Sequence, residues 1–370
     1  MKILVVNPIL FSGNGNVLPK VDTIKDTMIY NMCLGFKSLG HHVTLLAVED
    51  YKRINDEKYD FEILFFKNNT SKILPSALPF SIELHNFLRR NSSQYNMILS
   101  SEVFGFHTLF AAITAPSKTI VWHEMVTHQR KWYKIPSRLW HLIVVPIFFR
   151  NIRVVVGRSE NAISFISKYI RKSKIYEKPI DHGINISKFQ LSIHKKRQFI
   201  SIGQLVYRKN IDSIIHKFYH FVNMNQYSDF ILLIAGRGPM KDELQNLVSN
   251  LGIEKNVLFL GFLRHEQLNK YLSESYASLI DTRNDLNMVS IPEAIASGTP
   301  VLTNTIPALA NYINENKVGI AKEQWDYKDL EKLVVDQTYS ENCKKIRETL
   351  STARIADELI NVFNKYANNK

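Results

Sequence analysis

The sequence predicts an α/β protein made of two parallel-sheet domains in tandem, and three observations carry that expectation. Short apolar runs rich in Val and Ile recur with helical stretches between them. These runs do not alternate with polar residues, which suits strands buried on both faces of a parallel sheet. The pattern pauses over a charged segment, 172 to 198, that contains Pro179 and Gly183, and then starts afresh. A chain of 370 residues has room for two domains of ordinary size.

The first series runs KILVV (2 to 6), HVTLLAV (42 to 48), FEILFF (61 to 66), MILSS (97 to 101), TIVWH (119 to 123) and RVVVG (153 to 157). Between its first two members, Ile24, Met28, Met32, Phe36 and Leu39 form one stripe of a helix over 24 to 39, and Gly40 stops it. A first domain over 1–175 is expected. The second series runs FISIG (199 to 203), FILLIAG (230 to 236), VLFLGF (257 to 262), ASLID (277 to 281) and VLTN (301 to 304). Met240, Leu244, Leu247 and Leu251 mark an amphipathic helix ended by Gly252, so a second domain is expected over 185–350. A terminal helix over 352–368, with Ile355, Leu359, Val362, Phe363 and Tyr366 on one side, is expected to pack back on the first domain.

Composition narrows the class. With 45% hydrophobic, 22% charged and 11% aromatic residues, the chain is globular rather than disordered. The net charge of +13 favours anionic partners, whether nucleic acid, nucleotide phosphates or an anionic membrane. Cys33 and Cys343 stand far apart, which argues against a disulfide framework or a zinc site and fits a reducing cytoplasm. The N-terminal MKILVVNPILF is too short and too interrupted for a signal peptide and reads as a strand. The most lipid-like run, HLIVVPIFF (141 to 149), falls far below the ~20 apolar residues of a transmembrane helix.

Parallel sheets of this kind bind small molecules at the carboxyl ends of their strands, and a site in the cleft between the domains is expected. The stretch DTRNDLNMVSIPEAIASGTPV (281 to 301) draws most attention, with Asp285 and Glu293 flanking an apolar patch ahead of a short helix. Ser290 and Glu293 match a capping box, Pro292 suits a first turn, and Gly298 with Pro300 stops the helix. The loop before the cap puts its amides at the positive end of the helix, a place suited to phosphate. On the residues alone, a plain helix cap and a ligand site remain equally good readings.

That stretch resembles the retaining glycosyltransferases of the GT-B fold, family 4, in which two acids eight positions apart head an EAxAxGxPV helix. The resemblance implies two Rossmann-like domains facing each other across a cleft. It implies that Asp285 contacts the donor sugar and Glu293 holds the ribose, with amides near Met288 and Val289 assisting at the phosphates. Here the first acid is Asp rather than Glu, and Leu286 replaces the usual glycine. SIGQLVYRKNID (201 to 212) is similar to the family's GRLxxxKG segment, whose Arg and Lys neutralise the diphosphate: Lys209 matches the Lys, Gln204 takes the Arg position, and Arg208 is an alternative cation. LLIAGRGPMKDEL, with Gly236, resembles the glycine turn beside the nucleotide, and VLFLGFLRHEQL resembles the loop that approaches the nucleobase around Gly261 and Phe262. IDHGINISKF (180 to 189) resembles the element that opens the second domain. A histidine ending a strand is most often structural, but the family places one facing the donor sugar, which makes His123 a candidate. Gly13, in a first loop longer than usual, corresponds to the loop approaching the diphosphate.

The resemblance implies a UDP- or GDP-sugar donor, a glycan or polyprenyl-diphosphate-linked acceptor in bacterial surface polysaccharide (capsule) synthesis, retention at the anomeric carbon, and no cofactor. No Asp-x-Asp triplet and no His or Cys pair at ligand spacing occurs, so no metal is expected. The segment 128 to 153 interleaves Arg130, Lys131, Lys134, Arg138, Arg150 and Arg153 with Trp132, Tyr133, Trp140, Phe148 and Phe149. Such a mixture suits either a peripheral site on the inner face of a membrane or a buried helix with a charged outer face. A same-fold epimerase is the nearest alternative. A nucleic-acid-binding protein is a more distant one, motivated by charge but lacking any recognition motif.

Overall fold

The computed structural model describes residues 1–11, 23–52, 57–76, 78–128, 134–192, 194–284 and 288–367. The chain forms two compact units, Met1–Ile184 with Thr352–Lys370, and Asn185–Ser351. At the crossing point the Thr352 amide donates to the Ile184 carbonyl at 3.0 Å, so the chain leaves the first unit and re-enters it at one place.

The first unit holds β1 (Lys2–Val6), β2 (His42–Val48), β3 (Glu62–Phe66), β4 (Met97–Ser101), β5 (Thr119–His123) and β6 (Val154–Gly157). They form one parallel sheet in the order β3-β2-β1-β4-β5-β6. The order reverses direction at β1 and β4, which opens a crevice at their carboxyl ends. The helix after β1 is shorter than its apolar stripe suggests. It spans Met28–Ser38, because the Thr27 hydroxyl caps it by accepting from the Tyr30 amide, and Ile24 is buried ahead of the first turn. Met32 and Phe36 of this helix share a core with Leu359, Val362 and Phe363 of the terminal helix Thr352–Lys365.

The second unit holds β7 (Gln198–Ile202), β8 (Ile231–Ala235), β9 (Val257–Gly261), β10 (Ala277–Leu279), β11 (Val301–Thr303) and β12 (Gly319–Ala321). Its sheet is also parallel, in the order β12-β11-β10-β7-β8-β9, with the reversal at β7 and β10. β12 has only three residues and gave no periodic signal to read. The core on one face is aromatic, with Phe199, Phe218, Phe221 and Phe230 in mutual contact.

The segment after β5 departs from expectation. Two short helices, Lys134–Leu139 and Val145–Phe148, are joined by a π turn at Trp140–Val144, a wider turn just ahead of Pro146, which has no amide to donate. Of the aromatics in this segment, Phe148 is exposed while Trp140 and Phe149 turn inward; Trp132 and Tyr133, with Arg130 and Lys131, lie outside the described residues. Phe149 is buried in the core and Trp140 donates its indole N–H to the Val103 carbonyl at 3.1 Å. The outward face is otherwise aliphatic: Ile135, Leu139, Leu142, Ile143 and Ile147 are all more than half exposed. Among the described residues no helix is long and apolar enough to cross a membrane.

Gly35 marks where the first and last helices of the first unit meet. A Cβ there would lie 2.3 Å from the Thr352 carbonyl oxygen, and a backbone atom cannot swing aside as a side chain can. Gly35→Ala is therefore expected to destabilise the protein by about 1–3 kcal/mol, although alanine is the better helix former. Urea unfolding checks this; a midpoint equal to or above wild type would show that the two helices do not need this close approach.

Candidate functional site

In the second unit the site is built on turns at strand ends. β7 leads into Gly203 and then a 3-10 turn, Tyr207–Lys209, which ends at Asn210 in the left-handed conformation (φ 53°). Gly236, at the exit of β8, lies so close to this turn that a Cβ would sit 1.8 Å from the Gly203 carbonyl oxygen. Gly238 approaches the Leu205 carbonyl in the same way, at 2.2 Å. The Lys209 stem lies over Gly203, its Cε 3.4 Å from where a Cβ would stand. The Arg208 guanidinium is 3.5 Å from the Gln204 side-chain oxygen. Gln204, Arg208 and Lys209 are thus on one turn at the edge of the β7/β10 crevice.

That turn is fastened to the loop after β10. The Arg208 carbonyl accepts from the Arg283 amide at 2.8 Å and the Thr282 hydroxyl at 2.9 Å. The Arg283 guanidinium stacks on Tyr207 at 4.0 Å, donates to its carbonyl at 2.5 Å, and pairs with Asp212 at 2.8 Å. One step earlier, buried Asp281 accepts from Ser213 (2.6 Å), Lys217 (2.6 Å) and Asn304 (3.1 Å). These bonds join three elements around the start of the loop.

The helix that follows spans Ser290–Ala296, and here the capping-box reading is corrected. Val289 is the N-cap, it makes no side-chain cap bond, and Ser290 is already helical. The Glu293 amide donates to the Val289 carbonyl at 3.2 Å, which a cap at Ser290 would not allow. The other end forms as read: Gly298 (φ 70°) and Thr299 donate to the carbonyls of Ile295 and Ala294, a Schellman closure. Glu293 is only 7% exposed. Burial pushes its carboxyl up to about 7, against the opposing pull of the Lys188 ammonium.

In the first unit His123 ends β5, fully buried, with its ring stacked against Phe165 at 6.0 Å. Its Nδ1 is 2.5 Å from Glu102 Oε1, and its buried Nε2 has no hydrogen-bond partner among the described residues. Glu102 follows β4 at φ 68°, left-handed backbone that a glutamate rarely adopts. Its carboxylate also accepts from the amides of Val103 (2.8 Å), Glu124 (3.2 Å) and Met125 (3.0 Å). Burial would raise this carboxyl, but the His123 ring and these amide donors win and bring it down to about 2.

Of the candidates, Gln204, Arg208, Lys209 and Gly236 come together at the ends of β7 and β8. Met288, Val289 and Glu293 lie at the start of the helix after β10. Phe262 follows β9 and is exposed rather than core, with Arg237 over its ring at 5.6 Å. His123 belongs to the first unit. Gly13 and Asp285 lie outside the described residues. Sequence reasoning missed Glu102, Asp281 and the Arg283–Asp212 pair. A carboxylate at the carboxyl end of a parallel strand was the available signal for the first two.

Glu293 gives a pH-dependent prediction. Its folded pKa of about 7 lies above the 4.5 of an ordinary glutamate, so the folded protein holds a proton that the unfolded chain has released between those values. Stability due to this group is present below pH ~4.5 and lost as pH rises through ~7, a change of about 3 kcal/mol. Glu293→Gln should therefore leave stability at pH 4.5 nearly unchanged and raise it at pH 8 by up to about 3 kcal/mol. Denaturant titrations at the two pH values test this, and equal effects at both would refute the assigned burial cost.

Comparison with known proteins adds a family likeness for part of the chain. Residues 184–351 match the family described as Glycosyl transferases group 1. An uncharacterized glycosyltransferase of Methanocaldococcus jannaschii is 28% identical over 207 residues, 50% of this chain and 51% of that protein. The alpha-monoglucosyldiacylglycerol synthase of Streptococcus pneumoniae is 24% identical over 46% of this chain and 42% of its own. The chain thus spans about half or less of the curated relatives it matches. Among solved structures, a glycosyltransferase from Rickettsia africae aligns over 100% of this chain and 99% of its own with a TM-score of 0.69 at 13% identity. Anabaena HepE in complex with UDP aligns over 99% and 100% with a TM-score of 0.67, also at 13% identity. Residues 184–351 are thus similar to the glycosyl transferases group 1 family, and the two six-stranded parallel sheets are those of the GT-B fold.

Proposed function

We propose that this protein transfers a sugar from a nucleotide-sugar donor to an acceptor hydroxyl, with retention. The observation that carries the reading is the turn after β7, where Arg208 and Lys209 stand beside glycines that clear the backbone around them. Fixed cations there stabilise the charge that a departing nucleoside diphosphate gains. In this reading Lys209, with Arg208 and Gln204, holds the diphosphate, assisted by amides near Met288 and Val289 and by the loop carrying Gly13. Glu293 accepts from the ribose, and Gly236 and Phe262 lie towards the nucleoside. Asp285 and His123 position the sugar. The bond from the anomeric carbon to the phosphate oxygen breaks as the acceptor oxygen bonds on the same face. The acceptor's proton passes to the departing phosphate oxygen, so no strong external base is required.

The acceptor we favour is a glycan or a polyprenyl-diphosphate-linked oligosaccharide at the inner face of a bacterial membrane, in surface polysaccharide synthesis. Support comes from relatives whose names refer to lipid or surface-glycan acceptors: the streptococcal diacylglycerol enzyme and the O-antigen chain mannosyltransferase of Salmonella typhimurium, 28% identical over 35% of each chain. UDP-sugars are the first donors to try, since HepE was solved with UDP. Acceptor-dependent release of free nucleoside diphosphate separates this reaction from epimerisation.

Two experiments test the proposal. A panel of UDP- and GDP-sugars, followed by calorimetry and product release, should yield one bound donor. Lys209→Ala is expected to lower kcat by about 10²–10³-fold, the scale of a lost charge stabiliser, and Glu293→Ala to weaken donor binding by about tenfold. No binding by any donor, or no effect of either substitution, refutes the assignment. The exposed face at Leu139, Leu142 and Ile143, with Lys134 and Arg138 on the same segment, predicts binding to anionic vesicles. Co-sedimentation with phosphatidylglycerol vesicles at moderate salt should be strong and should fall at least tenfold in L142D/I143D; wild-type protein left in the supernatant would remove the membrane from the proposal.

A further inference from the structure

The geometry points to Glu102 as a positioning residue that fixes a proton on His123 Nδ1, so that Nε2 is the atom offered to substrate. Three observations converge on it. Glu102 Oε1 lies 2.5 Å from His123 Nδ1, close enough that the two atoms share a hydrogen bond with a charged acceptor. The opposite nitrogen is fully buried and unpartnered among the described residues, a state costly to maintain unless something else occupies it. Glu102 reaches the ring only because its backbone is left-handed at φ 68°, which costs an L-residue roughly 1 kcal/mol. The same carboxylate holds the amides of Glu124 and Met125, so the ring and the chain beyond it are set by one group. Imidazoles are oriented in this way when one nitrogen must face a ligand in a defined state.

Other buried imidazoles differ. His107 and His141 also have one unpartnered nitrogen, but their bonded nitrogens face backbone carbonyls, Ser101 at 2.6 Å and Ser137 at 2.7 Å. His182 pairs with the carboxylate of its own neighbour, Asp181, at 2.8 Å, and gives an internal comparison. For His123 the partner comes from the residue that follows the neighbouring strand β4, 21 residues away.

The substrate role rests on the proposed transferase reading; the proton assignment does not, and the experiment separates them. In ring-15N-labelled protein, the first measurement is the Nδ1–H signal assigned by its loss in His123→Asn. It should be present in wild type, retained in Glu102→Gln, and lost in Glu102→Gly, where glycine suits the backbone and keeps the fold. Persistence of the signal unchanged in Glu102→Gly overturns the assignment whatever the activity. The second measurement uses the donor identified in the panel. Glu102→Gly should lower kcat at least tenfold while leaving affinity for the free nucleoside diphosphate within twofold, with Glu102→Gln recovering much of the rate. Equal turnover in Glu102→Gly refutes the substrate role, whereas a wild-type protein inactive with every donor refutes only the reading on which that role rests.

Discussion

The second unit depends on one backbone contact, the approach of Gly236 to the Gly203 carbonyl. Any side chain at 236 would collide with that oxygen, so β7 and β8 can end together only if one exit has no Cβ. The φ values of 155° and 156° at these two positions are likewise open to glycine and to little else. Everything after β7 follows from this placement. Gly203 leaves room for the Lys209 stem, and Gly238 lets the next turn pass under Leu205. The Arg208 carbonyl then comes within reach of Thr282 and Arg283, which fixes the cationic turn beside the loop after β10.

Much of this was legible in the sequence, for a physical reason. Strands of a doubly covered parallel sheet are continuous apolar runs, and those runs mark most strands to within a residue or two. The two domains could be separated because the strand pattern stops and restarts. Other features rest on contacts that no local window contains. Thr27 caps the first helix three residues after the apolar stripe begins, and β12 is too short to show a period. Ser290 and Glu293 have the spacing of a capping box, yet the helix begins one residue earlier and the glutamate is buried. From 139 to 149 the segment is apolar on nearly every side, so only packing reveals that Trp140 and Phe149 turn inward while Leu142 and Ile143 face out.

The candidate site was half legible. Lys209, Glu293 and His123 sit at motif positions or strand ends. Glu102 and Asp281 could be noticed only as carboxylates at strand ends, because nothing in SSEVF signals a left-handed glutamate whose partner is on the next strand. The partners of Asp281, namely Ser213, Lys217 and Asn304, likewise come from distant parts of the chain.

Buried polar groups in this protein fall into two kinds, and the difference bears on function. Lys195 is held down to about 8 by burial, yet its ammonium donates to the carbonyls of Ser273 and Gly298 and to the Thr299 hydroxyl, and so ties the end of the Glu293 helix to its surroundings. Asp281 is similarly surrounded by donors. Such groups are complete within the fold, and their burial is repaid by bonds that hold elements together. His123 Nε2 is different: it has no partner among the described residues, and the ring stands at the carboxyl end of β5. Selection for stability alone would have replaced this ring with an apolar or better-paired residue, so the cost it imposes is the physical argument that a ligand completes it.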